Sequence, residues 1–406
     1  MNRDFPLLIV GAGASGLIAA FAASRARPCC ARLLEKEARV GRKLLATGNG
    51  RCNLLNASPT PSRMHGSFAP LAAQMLAQTP PEALLATFAE MGLVCRQEAE
   101  GRVYPYSGQA GAVLDALRFA CERQGVATSC DARVHSLRPL HGGFCVQTDA
   151  GDFWGCKVII AAGGRAAPAL GATGDGAGLL TQLGHACAKE RPALAPLKTA
   201  PQAIRGMKGV RLRAKLSLLV GRRPVQEETG ELLFGDASIS GVAAMQLARA
   251  AGSALAQGSQ VRLCIDATPD LDVLPLLRAR AALLGKEPAE RLLLGLVPTR
   301  AALCLLRAAE YPPQSAAKDA PLQRLESLLH AWELPVEGVE PFAQAQVTAG
   351  GALAREFSPQ TLESLRVPGL YACGEALDFD GDCGGYNLMW AWLSGLRAGT
   401  AAAEAL

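Results

Sequence analysis

An α/β fold interrupted by a β-rich and a helical insertion is what this 406-residue sequence predicts, and three observations predict it. Residues 7–10, Leu-Leu-Ile-Val, form a short apolar strand that runs straight into Gly11-Ala12-Gly13-Ala14-Ser15-Gly16 and a helical run over 17–25. The strand-then-glycine pattern returns at 157–164 and again at 369–375, close to the end of the chain. Between those returns, from 191 to 340, the sequence turns first to period-two alternation and then to a Leu-, Ala- and Arg-rich helical pattern.

Composition bounds the reading. Half the residues are hydrophobic, 19% are charged, and 43 Gly and 25 Pro are scattered without a period, which excludes disordered, collagenous and coiled-coil chains. At 406 residues the chain holds two or three domains. A formal net charge of +5 is too small for the whole surface to attract nucleic acid, so any basic site is local. Thirteen cysteines, with no C-x-x-C and one adjacent pair, Cys29-Cys30, fit neither a zinc ribbon nor a disulfide ladder. Reduced thiols in a cytoplasm fit better. Residues 7–24 carry no charge and resemble a signal peptide in hydropathy, but Gly11, Gly13 and Gly16 interrupt the run after four apolar residues. No other uncharged apolar stretch reaches the roughly 20 residues that cross a bilayer, so a soluble, cytoplasmic protein without membrane partners is expected.

The first strand and its glycines carry a specific chemistry. Gly11 permits a tight turn, Gly13 lets a pyrophosphate approach the backbone, Gly16 lets the helix lie close to the strand, and the helix N-terminus offers free N–H groups. The next strand, 31–34, ends at Glu35-Lys36, where a carboxylate can accept hydrogen bonds from adenosine ribose hydroxyls. The alternative is a merely structural glycine turn. This pattern signals a dinucleotide but does not choose between NAD and FAD.

Two later segments decide that choice. Residues 157–164 end in Ala162-Gly163-Gly164, and 369–375 end in Gly374-Glu375. The second is followed by Asp378, Asp382, Gly384-Gly385-Tyr386-Asn387-Leu388 and a helix to about residue 403 with no acid before Glu404. That helix N-terminus can stabilise negative charge on a reduced flavin ring, and the acids before it can bind ribityl hydroxyls. No second strand-linked G-x-G-x-x-G exists for a nicotinamide domain. The expected architecture is a Rossmann-like FAD-binding domain in two parts, 1–190 and 341–406, with an inserted β-rich, barrel-like subdomain over 191–268 and a small helical subdomain over 269–340.

Between the second strand and the middle of the first domain, Gly41-Arg42-Lys43 and Gly48-Asn49-Gly50-Arg51-Cys52-Asn53 place three cations among glycines, able to wrap a pyrophosphate and reach a flavin. A solvated basic loop is the alternative. Cys52 is a candidate proton donor or redox partner if Arg51 depresses its pKa, and a buried inert thiol otherwise. None of the five histidines lies in a motif and no ligand spacing appears, so no metal site is expected.

Taken together, GRKLLATGNGRCN at 41–53, GRVYP at 101–105, Thr173-Gly174-Asp175-Gly176, Ser240-Gly241, Thr348-Ala349-Gly350-Gly351 and Gly381-Asp382 with GGYN at 384–387 resemble the BaiN/YhiN-like flavoproteins, also labelled aminoacetone oxidase family FAD-binding enzymes. The likeness spans nearly the whole chain. It implies the barrel and helical subdomain in the insertion, and FAD contacts from Gly11 to Gly16, Glu35, Lys36, Arg42, Lys43, Gly48 to Asn53, Ala162 to Gly164, Thr173 to Asp175, Gly374, Glu375, Asp382 and Gly385 to Leu388. Arg51, Cys52 and Asn387 are the expected catalytic residues. Departures from the family occur at Ala166, Ala167 and Ala169 around Pro168, at Asp236-Ala237-Ser238, at Val242 and at Cys383, positions that bear on the substrate.

The insertion adds one more signal. Val210, Leu212, Ala214, Leu216, Leu218 and Val220 alternate with Arg211, Arg213, Lys215 and Ser217, a half-buried strand with a cationic face. From 191 to 226 there are nine basic residues and no acid. Arg205, Lys208, Arg211, Arg213, Lys215, Arg222 and Arg223 are the candidate RNA contacts, by phosphate neutralisation without base stacking; a solvated sheet face is the alternative. The expected activity is an FAD-dependent oxidoreductase that uses NADH or NADPH to reduce an activated C=C or C=N bond. The resemblance implies uridine in ribosomal RNA or a steroid enone as substrate, and an amine oxidase using oxygen as an alternative. An RNA-binding or assembly protein with structural FAD is the non-enzymatic alternative, and the oligomeric state is open.

Overall fold

The structure, a computed structural model, describes residues 2–3 and 5–406. The chain divides into two compact units, Met1–Arg191 with Val347–Leu406, and Pro192–Gln346. The first is built on a five-stranded parallel sheet of β1 (Leu7–Val10), β2 (Ala31–Leu34), β3 (Ala127–Ser129), β4 (Lys157–Ile160) and β5 (Leu370–Ala372) in the order 5-4-1-2-3. The central register sets Leu7 beside both Lys157 and Ala31. A strand covered on both faces needs an unbroken apolar run, and all four residues of β1 are buried.

Helix α1 (Ala14–Ala26) follows β1, and every residue from Ser15 to Ser24 in it is buried. Such a helix must be covered all round. Much of its cover comes from the C-terminal helix α2 (Tyr386–Glu404), which crosses it at two glycines. A Cβ on Gly395 would sit 2.7 Å from the Ser15 carbonyl oxygen, and one on Gly399 would overlap the Ala19 carbonyl. On the side chains of β1, an antiparallel meander over Val134–Leu140, Gly143–Thr148 and Gly151–Gly155 brings Gly155 against Leu8.

The inserted unit holds a seven-stranded sheet whose long hairpin, Arg211–Val220 with Arg223–Phe234, pairs Arg213 with Glu231 and Ser217 with Glu227. One segment, Trp332–Pro335 continuing into Gly338–Val339, provides both edge strands. Its Val336 N–H donates to Val261 O at 3.0 Å and its Glu337 N–H to Lys198 O at 2.9 Å, so the two edges are drawn together in barrel fashion. The helices Val273–Leu284, Thr299–Ala308 and Leu322–His330 share one hydrophobic core with this sheet, through Leu277, Leu305 and Leu325 packed in the same cluster as Leu216 and Ile265. Two subdomains were expected here. A single core joins them because each helix has only one apolar stripe and buries it on the sheet.

The helix crossing gives a stability prediction. Gly399→Val forces α1 and α2 apart and is expected to lower the thermal midpoint by about 5 °C, from an overpacking cost of about 1–3 kcal/mol. Gly178→Ala, at a helical position where a Cβ meets nothing within 4 Å, is the control and leaves the midpoint unchanged or slightly raised in differential scanning fluorimetry.

Candidate functional site

The glycines after β1 do three different jobs. Gly11 has φ +100°, and a Cβ there would lie 2.6 Å from the Ala161 carbonyl oxygen; a Cβ on Gly16 would overlap the Gly11 carbonyl. Both are demanded by the protein's own backbone. Gly13 is different: a Cβ there meets nothing within 4 Å, and α1 starts at this residue without a capping side chain. An open face at an uncapped helix start is the cradle a pyrophosphate needs. Glu35, at the end of β2, is buried, and its carboxylate accepts the Ala12 N–H at 2.8 Å and the Glu37 N–H at 3.0 Å. Each oxygen keeps a lone pair for a hydroxyl donor.

The other segments converge on this turn. Ala162 abuts Gly11, and Gly163 (φ +70°) has open space where a side chain would stand. The Gly41 N–H donates to Ala12 O at 3.0 Å, which starts the 41–53 segment at the glycine turn. Lys43 Nζ lies 2.7 Å from Glu375 Oε2, while Glu375 Oε1 accepts the Thr348 N–H at 2.9 Å. Three segments distant in sequence are thus tied at one carboxylate. Arg42 pairs with Glu37 and donates to Ala169 O at 3.0 Å. Lys36 contacts Thr173 and, at 2.6 Å, Asp175, which also faces Arg133 at 3.0 Å. Burial raises the Asp175 pKa, but the Lys36 hydrogen bond and charge, with Thr173 and Arg133, outweigh it and hold the carboxyl below its ordinary range.

At the C-terminal end, the Gly374 N–H donates to Ser394 Oγ at 2.9 Å and Gly374 O accepts from Trp390 Nε1 at 3.0 Å, fixing the end of β5 on α2. Gly385 has φ +101° and packs where a Cβ would collide with the Leu55 backbone. Asn53 accepts the Gly385 N–H and donates to Leu55 O, each at 3.2 Å. The Tyr386 hydroxyl accepts the Thr60 N–H at 3.1 Å, and Asp382 Oδ1 lies 2.9 Å from His65 Nε2. Leu388 is half-buried one step into the helix.

The three residues expected to be catalytic are all used internally. Arg51 donates to Glu98 Oε1 at 2.6 Å and lies 4.1 Å from the Tyr104 ring centroid; the Glu98 hydrogen bond raises its pKa further. Cys52 is fully buried, and burial pushes its thiol up to about 12, which fits the buried-thiol alternative rather than a pKa depressed by Arg51. Asn387 spends its amide on one peptide, accepting the Gly381 N–H at 2.9 Å and donating to Gly381 O at 2.7 Å. Sequence reasoning missed Trp390, Ser394 and Glu98. The i,i+4 spacing of Trp390 and Ser394 was the available signal for the first two; Glu98 left none.

Several cations of the alternating strand and its neighbours are ion-paired. Arg211 pairs with Glu231 at 2.7 Å, Lys215 with Glu227 at 3.0 Å and Lys208 with Asp236 at 2.7 Å. The return strand of the hairpin carries the acids that the forward strand lacks. Among the described residues, Arg205, Arg213, Arg222 and Arg223 have no acidic partner.

A family model described as the HI0933-like protein Rossmann domain matches residues 5–401. The chain belongs to this HI0933-like family. It is 36% identical to a 3-dehydro-bile acid delta(4,6)-reductase of Clostridium scindens over the full length of both chains. It is 27% identical to a ribosomal RNA dihydrouridine synthase of Haemophilus influenzae, covering 97% of each. Among solved structures, a 3-ketosteroid-delta4-(5alpha)-dehydrogenase of Rhodococcus jostii RHA1 shares the fold, with a TM-score of 0.51 at 17% identity over 99% of this chain and 98% of that one. This HI0933-like chain is an FAD-dependent oxidoreductase. The open face at Gly13 and the fixed Glu35 carboxylate fit the pyrophosphate and ribose of FAD. No helix among the described residues is long and apolar enough to cross a membrane.

Two outcomes test this site. Gly13→Val fills only open space, so the protein is expected to fold with an unchanged apo melting temperature yet purify colourless, read from the visible spectrum. Cys52 is expected to resist iodoacetamide at pH 8 in the native protein while exposed Cys29 is alkylated, read by peptide mass mapping.

Proposed function

We propose that this chain uses NADH or NADPH to reduce a C=C bond conjugated to a carbonyl in a small apolar molecule. When bound, FAD supplies the carrier that accepts a hydride from the nicotinamide and passes it to the double bond. The chain's own part is to hold that cofactor, with Gly13 and α1 facing the pyrophosphate, Glu35 the ribose, and the Lys43–Glu375–Thr348 link joining the segments beyond. The relative from Clostridium scindens, matched end to end, carries a reductase name for an enone-type substrate class. The observation that favours a small molecule over RNA is in the hairpin, where Glu231 and Glu227 pair with Arg211 and Lys215 and offset two of the cations that would meet phosphates.

A second reading, uridine in ribosomal RNA as the reduced group, draws on the four arginines without acidic partners and on the name of the Haemophilus influenzae relative. Uridine also presents a C=C conjugated to a carbonyl, so the chemistry is shared and only recognition differs. Either substrate is compatible with a cytoplasmic protein.

Anaerobic reduction with NADH and with NADPH, followed by mixing with 4-androstene-3,17-dione or a ribosomal RNA transcript, separates these. Rapid reoxidation by the enone is the expected result. Reoxidation by RNA with dihydrouridine formed, lost on changing Arg213, Arg222 and Arg223 to Glu, supports the second reading. Reoxidation by neither, with oxygen consumed on adding amines, discards both.

A further inference from the structure

Glu190 stands out among the carboxyl groups of the FAD-binding unit because its Oε1 is enclosed without a hydrogen-bond partner. It lies on Cys187–Ala193, the strand paired in a two-stranded sheet with Val347–Ala352. That partner strand carries Gly350 at φ +105°, where a Cβ would stand 2.9 Å from Glu190 Cα. On another side is the Gly174 turn, where a Cβ would lie 3.4 Å from Glu190 Oε2 and 2.7 Å from Arg165 Cγ. Glu190 therefore sits among the glycine-bearing ends of segments that converge on the cofactor cradle. Its Oε1 is sealed from water and has no hydrogen-bond partner, yet the residue as a whole is half-buried.

The neighbouring acids are committed. Glu375 is taken by Lys43 and the Thr348 N–H, and Asp175 by Lys36, Thr173 and Arg133. The charged and titratable groups that face Glu190 are Arg165 from the loop after β4, Glu375 from the segment after β5, and Cys187 on its own strand. Burial raises the Glu190 pKa above the ordinary range; Arg165 opposes this and Glu375 adds to it.

Resting on the enone reading above, we propose that Glu190 is the source of the proton that accompanies the hydride. Saturating C=C–C=O requires a hydride at the β-carbon and a proton at the α-carbon. The hydride originates in NADH or NADPH, which is oxidised, and the enone is reduced. The O–H bond of Glu190 breaks as the α-carbon–hydrogen bond forms, and the half-buried carboxylate left behind takes a proton from solvent. Because the acid form is the active one, turnover is present at low pH and is lost as pH rises through the Glu190 pKa.

The test uses the FAD-loaded protein, with Glu190→Gln and Glu190→Asp. Infrared titration is expected to show a carboxyl band that is absent in Glu190→Gln and titrates above the roughly 4.3 of an ordinary Glu. In stopped flow, reduction of the flavin by the nicotinamide is expected to be unchanged. Its reoxidation by 4-androstene-3,17-dione is expected to slow about 100-fold in Glu190→Gln, losing the alkaline limb of its pH profile, with part of the rate restored in Glu190→Asp. A wild-type rate and pH profile in Glu190→Gln, or a carboxyl titrating at or below the ordinary value, overturns this proposal alone. Wild-type protein that reduces no enone overturns the functional reading and this proposal with it.

Discussion

The close crossing of α1 and α2 is the constraint on which the FAD-binding unit depends. Gly395 and Gly399 bring the two backbones together at Ser15 and Ala19, on the helix whose first turn forms the cofactor cradle. Any side chain there would hold α2 off by several tenths of an ångström or more. The consequence reaches beyond packing. Trp390 and Ser394 project from α2 to grip both polar groups of Gly374, so the position of β5's end is set by the helix crossing. Each neutral hydrogen bond contributes only about 1 kcal/mol net, but leaving a buried Gly374 N–H or Trp390 indole unpaired would cost more. The arrangement is therefore all-or-none.

Electrostatics supply the second level of order. Glu35, Glu375 and Asp175 each bind groups from distant segments, and each is at least half-buried, where charge-assisted hydrogen bonds contribute about 1.5–3 kcal/mol. The hairpin pairs Arg211–Glu231 and Lys215–Glu227 are exposed and contribute little to stability, about 0–1 kcal/mol each. Their effect is on the field instead: they offset the charge of Arg211 and Lys215, over a reach of about one Debye length, ~8–10 Å, while Arg213, Arg222 and Arg223 have no acidic partner among the described residues.

What could be read in the sequence was whatever local physics decides. Leu7–Val10, the three glycines and Glu35 form a contiguous pattern whose geometry follows from backbone sterics, so both strand and cradle were legible. Cys52 was not, because its environment is decided by burial and by Cys95, far along the chain; a neighbouring Arg51 says nothing once Glu98 takes the guanidinium. The ion pairing of the cationic strand was hidden for a related reason. Its acids begin at residue 227, immediately past the acid-free stretch, and the Gly221 turn between two alternating runs marked the hairpin that folds them back. The shared core of the insertion was not legible, because apolar stripes on helices look alike whether they bury on each other or on a sheet.

The loop after β4 shows how recognition and scaffold separate. Thr348 Oγ1 accepts both the Arg165 N–H at 2.8 Å and the Ala166 N–H at 2.9 Å, so the backbone there is fixed from outside the loop. Ala167 is held at φ +64°, a left-handed conformation that costs an alanine about 1 kcal/mol and persists only because its surroundings dictate it. Arg42 closes the far side on Ala169 O. With the chain path imposed by Thr348 and Arg42, the side chains at 166, 167 and 169 are free to be as small as methyl groups. Ala166 is buried, while Ala167 and Ala169 present only methyls and no side-chain hydrogen-bond donor beside the exposed Arg165. The loop's path is thus set by groups outside it, whatever side chains stand at those positions.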